Sequence, residues 1–215
     1  RLWRRWFPIR SCLTRRRRSF LIRNHQREQA ILGFLHRFHP TDFSQFSLLE
    51  IGCGGGSDLL NFLRFGFSPS KLYGNELLND RYLHAKSLLP TKVKLYNCDA
   101  FDMCFDINSF NFIYQSMVFS SILDNKHRKK LAQHIYNILK PGGTLMWYDS
   151  FYNNPFNRDV HGIKVSSIRK LFPEYKIKVI KCTLCPPIAK RVCTVMPLLY
   201  MFLKMVQDNL SGSSR

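Results

Sequence analysis

Apolar residues in this chain fall into short runs separated by polar, glycine- or proline-bearing breaks. The runs at 46–51, 71–76, 93–98, 110–115, 144–149 and 176–184 are too short for helices and read as strands. The first of them, FSLLEI, is apolar almost throughout, as a strand buried on both faces of a parallel sheet should be. Between the runs, helical spacing takes over. Positions 57–65 place Leu59, Leu60, Phe62 and Leu63 on one side, and a further helix runs up to Leu89, before Pro90. Two more cover 126–139, closed by Pro141, Gly142 and Gly143, and 165–172. Ahead of all these, 21–39 carries Ile31, Leu32, Phe34 and Leu35 at helical spacing and stops at Pro40.

Strands alternating with helices predict a Rossmann-like, doubly wound α/β fold: a mostly parallel sheet of six or seven strands with helices on both faces. The division expected is an arm at 1–20, a helix at 21–40, the α/β domain at 41–185 and a helical extension with a tail at 186–215. In such sheets ligands bind beyond the carboxyl ends of the strands, where the strand order switches. Chemistry is therefore sought just after each strand.

Charge changes the picture at the ends of the chain. Lys and Arg number 33 against 14 acids, a net +19. Residues 1–27 hold ten arginines and no acid, which leaves +9 for the remaining 188 residues. The arm is either a solvated tail or a binder of polyanions such as anionic lipid headgroups or nucleic acid. With Trp3, Trp6 and Phe7 in it, an anionic membrane surface is the partner favoured over nucleic acid. No secretory signal is visible, so the expected place is the cytoplasm, with contact at the inner membrane face. The apolar stretch 195–206 is too short to span a bilayer and reads as a core or interfacial helix. Seven scattered cysteines suggest reduced thiols. The pair Cys182 and Cys185 lacks a partner pair at zinc spacing, so no metal is expected.

The candidate chemistry begins at Leu48-Leu49-Glu50-Ile51-Gly52-Cys53-Gly54-Gly55-Gly56-Ser57, between the first strand and the next helix. Glycines let the backbone turn sharply and approach a ligand, and the helix start aims free N–H groups at it. Such a loop could serve NAD or S-adenosylmethionine (SAM). The dinucleotide pattern G-x-G-x-x-G would need glycine at Ser57, whereas G-x-G-x-G is met by Gly52, Gly54 and Gly56. Glu50 would repel a pyrophosphate and suits a cationic sulfonium. Glu76, closing the second strand, can accept both ribose hydroxyls. Asp99, closing the third strand, can accept from an adenine amine or merely cap a turn.

With these residues in hand, the segment from about Leu48 to Ser150 resembles the class I SAM-dependent methyltransferases, through LEIGCGGG, YGNELL, NCDAFD, FNFIYQS and LKPGGTLMWYD in order. The resemblance implies that Gly52, Cys53, Gly54 and Gly56 wrap the amino-acid part of SAM. It implies that Glu76, with Leu77, holds the ribose, that Asp99 and Ala100 hold the adenine, and that Gln115 lies beside the reacting end. It also implies S-adenosylhomocysteine as product. The stretches 115–124 and 148–155 resemble, more narrowly, methyltransferases of surface-polysaccharide and glycolipid assembly.

The acceptor should approach over the ends of the fourth and fifth strands. Neither the Pro-Pro-Tyr type motif of DNA amino-methyltransferases nor a Pro-Cys pair follows the fourth strand, which weakens nucleic acid as substrate. Asp149 is the candidate base, or a capping acid of its loop, and His161 a second catalytic candidate. Tyr148, Asn153 and Asn154 could hydrogen-bond a sugar-like acceptor. The expectation is methyl transfer to a hydroxyl or carbon of a small polar molecule, a sugar or glycolipid. An RNA-binding protein or RNA methyltransferase, and a catalytically degenerate interaction protein, are the alternatives.

Overall fold

The computed structural model describes residues 15–38, 42–153, 159–180 and 182. They fall into two compact units, one of residues 38–177 and one formed by the chain ends 1–37 and 178–215. In the second unit, helix α1 (Arg15–Phe38) begins six residues before the expected start, so the run Arg15 to Arg18, assigned to the arm at 1–20, is helical. Of its expected inward side chains only Leu35 is fully buried, and Gln26 is buried as well.

The unit 38–177 holds the sheet. Its elements are β1 (Leu48–Ile51), α2 (Ser57–Arg64), β2 (Leu72–Asn75), α3 (Asn79–Leu88), β3 (Lys94–Tyr96), β4 (Phe110–Ser116), α4 (Asn125–Ile138), β5 (Leu139–Tyr148) and α5 (Val165–Leu171). The strand order is β3-β2-β1-β4-β5, every pairing parallel. The order reverses at β1, whose neighbours are β2 and β4. That is the switch point of a doubly wound sheet, and ligands bind at its carboxyl end.

Burial follows the pleat. Leu49, Ile51, Phe110 and Ile113 join Leu131, Ala132 and Ile135 of α4 and Phe172 in one core, with Ile168 and Leu171 of α5 packed against it. On the other face, Phe112 and Tyr114 meet Phe62 and Phe67 in edge-to-face contacts. All four residues of β1 are buried, as expected for a central strand covered on both sides.

Two expectations need correction. Five strands, not six or seven, form the described sheet, and the segment expected as a sixth strand is not extended in the sheet at 176–180. Positions 183 and 184, and the stretch 195–206, lie outside the described residues. The helix expected at 126–139 is α4, but the strand expected from 144 begins already at Leu139, so Pro141-Gly142-Gly143 sits within β5 rather than between helix and strand. There the pairing jumps from Phe110–Leu139 to Phe112–Thr144, a bulge, with Gly142 at φ +75. Proline gives no ladder donor, so a bulge is where a strand accommodates it. Among the described residues, no helix is long and apolar enough to cross a membrane.

Candidate functional site

The loop between β1 and α2 turns on three glycines in the left-handed region: Gly52 (φ +66), Gly54 (φ +56) and Gly56 (φ +83). Alternate glycines are required because side chains resist that conformation. Space differs between them. A Cβ on Gly52 would meet Val118, and one on Gly56 would meet Leu89 and Ala85. At Gly54 nothing stands within 4 Å, so the backbone there is open to an incoming group.

Glu76 is 6% exposed and ties this loop to the end of β2. Its Oε2 accepts the Gly54 N–H at 2.8 Å and its Oε1 accepts the Leu78 N–H at 2.9 Å. Each carboxylate oxygen offers two lone pairs, so each keeps one for a ligand hydroxyl. Glu50 is 2% exposed on β1. Burial pushes the Cys53 thiol far up, and the charges of Glu50 and then Glu76 add to the effect. Glu50, two residues before the loop, and Glu76, bonded to its Gly54 N–H, both bear on Cys53.

Asp99 Oδ1 accepts the Phe101 N–H at 3.1 Å, so this acid caps its turn. Ala100 beside it is buried in the core. Leu77 stands 62% exposed just beyond Glu76. A cavity of about 470 Å³ opens along β3 among Asn97, Cys98, Asp102, Met103, Cys104 and Phe105. It adjoins Asp99 in sequence but does not include Glu50 or Glu76.

Sequence reasoning missed Asn75. It is 2% exposed, its Oδ1 accepts the Gly52 N–H, its Nδ2 donates to the Cys98 carbonyl, and its own carbonyl accepts the Cys53 N–H at 2.8 Å. One residue thereby fixes the glycine loop against the ends of β2 and β3. The only signal was its place directly before Glu76. Gly55 was also passed over. The His84 ring of α3 lies 2.7 Å from where its Cβ would stand, so a larger residue there would have to push that side chain aside.

A second cluster sits beyond β4 and β5. Gln115 is fully buried; its Oε1 accepts the Val118 N–H at 3.0 Å and its Nε2 reaches Asp149 Oδ2 at 3.4 Å. Asp149 Oδ2 also accepts the Ser120 N–H at 3.2 Å, and Oδ1 the Ser150 N–H at 3.0 Å. Burial raises the Asp149 carboxyl above its usual range, opposed by hydrogen bonds from Ser120, Ser150 and Gln115. Ser120, missed in the sequence, is fully buried, and its carbonyl accepts the His161 N–H at 2.9 Å. The His161 side chain is exposed. Asn153 is exposed and its Oδ1 accepts the Gly162 N–H at 2.8 Å, closing the loop on itself. Tyr148 ends β5 half-buried, and Asn154 lies outside the described residues.

The residues present fit SAM. Gly54 leaves open space where a side chain would stand, and two buried carboxylates beside the loop suit a sulfonium and an ammonium and would oppose a pyrophosphate.

Comparisons with known proteins agree. The family described as "Methyltransferase domain" matches residues 23–182. No curated protein matches the sequence. The fold is similar to that of an S-adenosylmethionine-dependent methyltransferase from Mesorhizobium loti, at 17% identity and TM-score 0.57, over 76% of this chain and 88% of that one. It is similar to phosphoethanolamine N-methyltransferase 2 of Haemonchus contortus in complex with S-adenosyl-L-methionine, at 22% identity and TM-score 0.53, over 68% of this chain and 36% of that one. The PH0226 protein of Pyrococcus horikoshii is matched at 16% identity and TM-score 0.48, over 57% of this chain. The chain spans 56% of the length of that protein.

Proposed function

The chain belongs to the methyltransferase-domain family, with S-adenosylmethionine as its cofactor, and from that premise we propose that it methylates a hydroxyl or carbon of a small polar acceptor, a sugar or the sugar headgroup of a glycolipid. When bound, SAM supplies a methyl group already activated on a sulfonium. The protein's own work is then to orient, to dehydrate and to handle one proton. Gly52, Cys53 and Gly54 would hold the amino-acid end, Glu50 would balance its positive charge, and Glu76 would take the ribose hydroxyls.

Asp149 is the observation that carries the reading. It is the carboxylate held at the adjoining ends of β4 and β5, with its carboxyl raised by burial. A hydroxyl acceptor must lose a proton as it attacks, and a carboxylate whose proton affinity is raised above the ordinary is the better base near neutral pH. Gln115, Ser120 and Ser150 orient it from three directions and leave a lone pair for the acceptor hydroxyl. Asn153, with Asn154 beside it in sequence, supplies amide groups of the kind that read sugar hydroxyls.

The test is transfer of isotopically labelled methyl from SAM to a panel of free sugars, sugar nucleotides and glycolipids, with structured and single-stranded RNA in parallel. Label in a sugar-bearing acceptor, lost in Asp149→Asn, supports the reading. Label in RNA alone contradicts it.

A further inference from the structure

Charge within the unit that carries the sheet is split along the chain. Residues 42–124, which form β1 to β4, α2 and α3, hold six Lys or Arg and nine acids. Residues 125–176, which form α4, β5 and α5, hold ten Lys or Arg and three acids. One of those three is Asp149, turned into the site by its bonds to Ser120 and Ser150. The positive half is a surface, because α4 and α5 pack over the same core. Lys126, Lys129 and Lys130 of α4 and Arg169 and Lys170 of α5 are all exposed.

Large apolar side chains stand exposed at one end of that surface. Leu123, directly before α4, is 53% exposed, and Phe151 and Tyr152, directly after β5, are 49% and 65% exposed. Their two loops are joined by the Ser120–Asp149 and His161–Ser120 hydrogen bonds, so the three residues lie on the loops that hold Asp149 at the carboxyl end of the sheet.

We propose that the α4–α5 face, with Leu123, Phe151 and Tyr152 at its edge, docks on an anionic lipid surface and turns the mouth of the site toward it. Lysines attract an anionic leaflet, and apolar side chains beside them enter the boundary between headgroups and acyl chains. Two features favour lipid over a nucleic acid strand. The face is mostly lysine, a point charge on a flexible stem, rather than arginine, whose planar fork suits phosphate and base recognition. Its exposed companions include an aliphatic leucine, which cannot stack a base, and two rings packed against each other at 71°, not laid out as separate platforms. This surface is distinct from the N-terminal arm, and the proposal does not depend on which acceptor is methylated.

The experiment is flotation of the full chain with vesicles of phosphatidylcholine, alone or mixed with phosphatidylserine. Two triple variants with the same change in net charge are compared: Lys126→Glu, Lys129→Glu and Lys170→Glu on the proposed face, and Lys71→Glu, Lys86→Glu and Lys92→Glu on the other half. Glutamate at 126 and 129 lies near the N-terminal end of α4, where an acid is compatible with the helix. Calorimetry with S-adenosylhomocysteine checks that both variants stay folded. The first variant is expected to lose more than about tenfold in partition to the phosphatidylserine vesicles while the second stays within about threefold. Equal losses in the two variants would overturn the proposal. So would retention of binding by the first, or loss by it of single-stranded RNA binding with vesicle binding intact.

Discussion

Asp149 makes the sharpest residue-scale prediction. Its carboxyl is raised, so the pH profile of kcat/KM should rise on its acid side at a pH above the usual aspartate value of 3.8. Activity should be present above that limb and lost as the pH falls through it, because the base must be ionised. Asp149→Asn should remove the limb and lower kcat by about 10²- to 10⁴-fold. For stability the sign is opposite: a raised carboxyl favours the neutral form in the fold, so its contribution is present at acid pH and lost as the pH rises through the raised value. Glu76→Gln tests the other end of the site. It keeps the shape but sets an amide NH₂ against the Gly54 or Leu78 N–H, so SAM affinity should fall by more than about tenfold, the order of one charged hydrogen bond. The places of Glu50, Glu76 and the glycines at the carboxyl ends of β1 and β2 were readable from the sequence because spacing relative to the strands identifies them. Asn75 and Ser120 were not, because each acts through backbone groups that only the folded chain brings together.

At the scale of elements, the loop after β5 is clasped to the loop after β4. His161 N–H meets the Ser120 carbonyl, Ile163 N–H meets the Ser150 carbonyl and Gly162 N–H meets Asn153. Gly162 allows this, since a Cβ there would lie 2.5 Å from the Tyr152 carbonyl carbon and 2.8 Å from the Phe151 oxygen. Backbone cannot yield as a side chain can. Gly162→Ala should therefore cost about 1–3 kcal/mol in denaturant unfolding and raise KM for the acceptor more than affinity for SAM changes. An equal change in both would place the loop's role in general folding. Helix and strand order were legible because the two periods differ so clearly along the chain. The boundaries near β5 were not. Pro141, Gly142 and Gly143 carry the same local signal whether they close a helix or form a bulge, and only pairing with β4 decides it. The sixth strand was read from a short run at 176–184, but a short run says nothing about whether a partner edge is at hand.

For the molecule as a whole, the site is assembled from loops at one end of a five-stranded sheet, and a ligand held by several of them should stabilise the fold they join. SAM at a hundred times its Kd should add about 2.7 kcal/mol to the free energy of unfolding, seen as a rise in Tm that follows ligand concentration. Charge is the other molecule-wide property. The arginine-rich first 27 residues and the α4–α5 half of the sheet unit both favour anionic surfaces, so association with such surfaces should weaken as salt screens it. The central claim is narrower than either: the open turn at Gly54, with the buried carboxylates of Glu50 and Glu76, forms a seat for a sulfonium nucleoside. Titration calorimetry with SAM and S-adenosylhomocysteine, on the unaltered chain and on Glu76→Ala, tests it most directly. The account predicts one saturable site per chain, lost or much weakened in the variant, and no competition from NAD. A chain that is folded yet gives no heat with either ligand, or a variant that binds both as well as the unaltered chain, would contradict it.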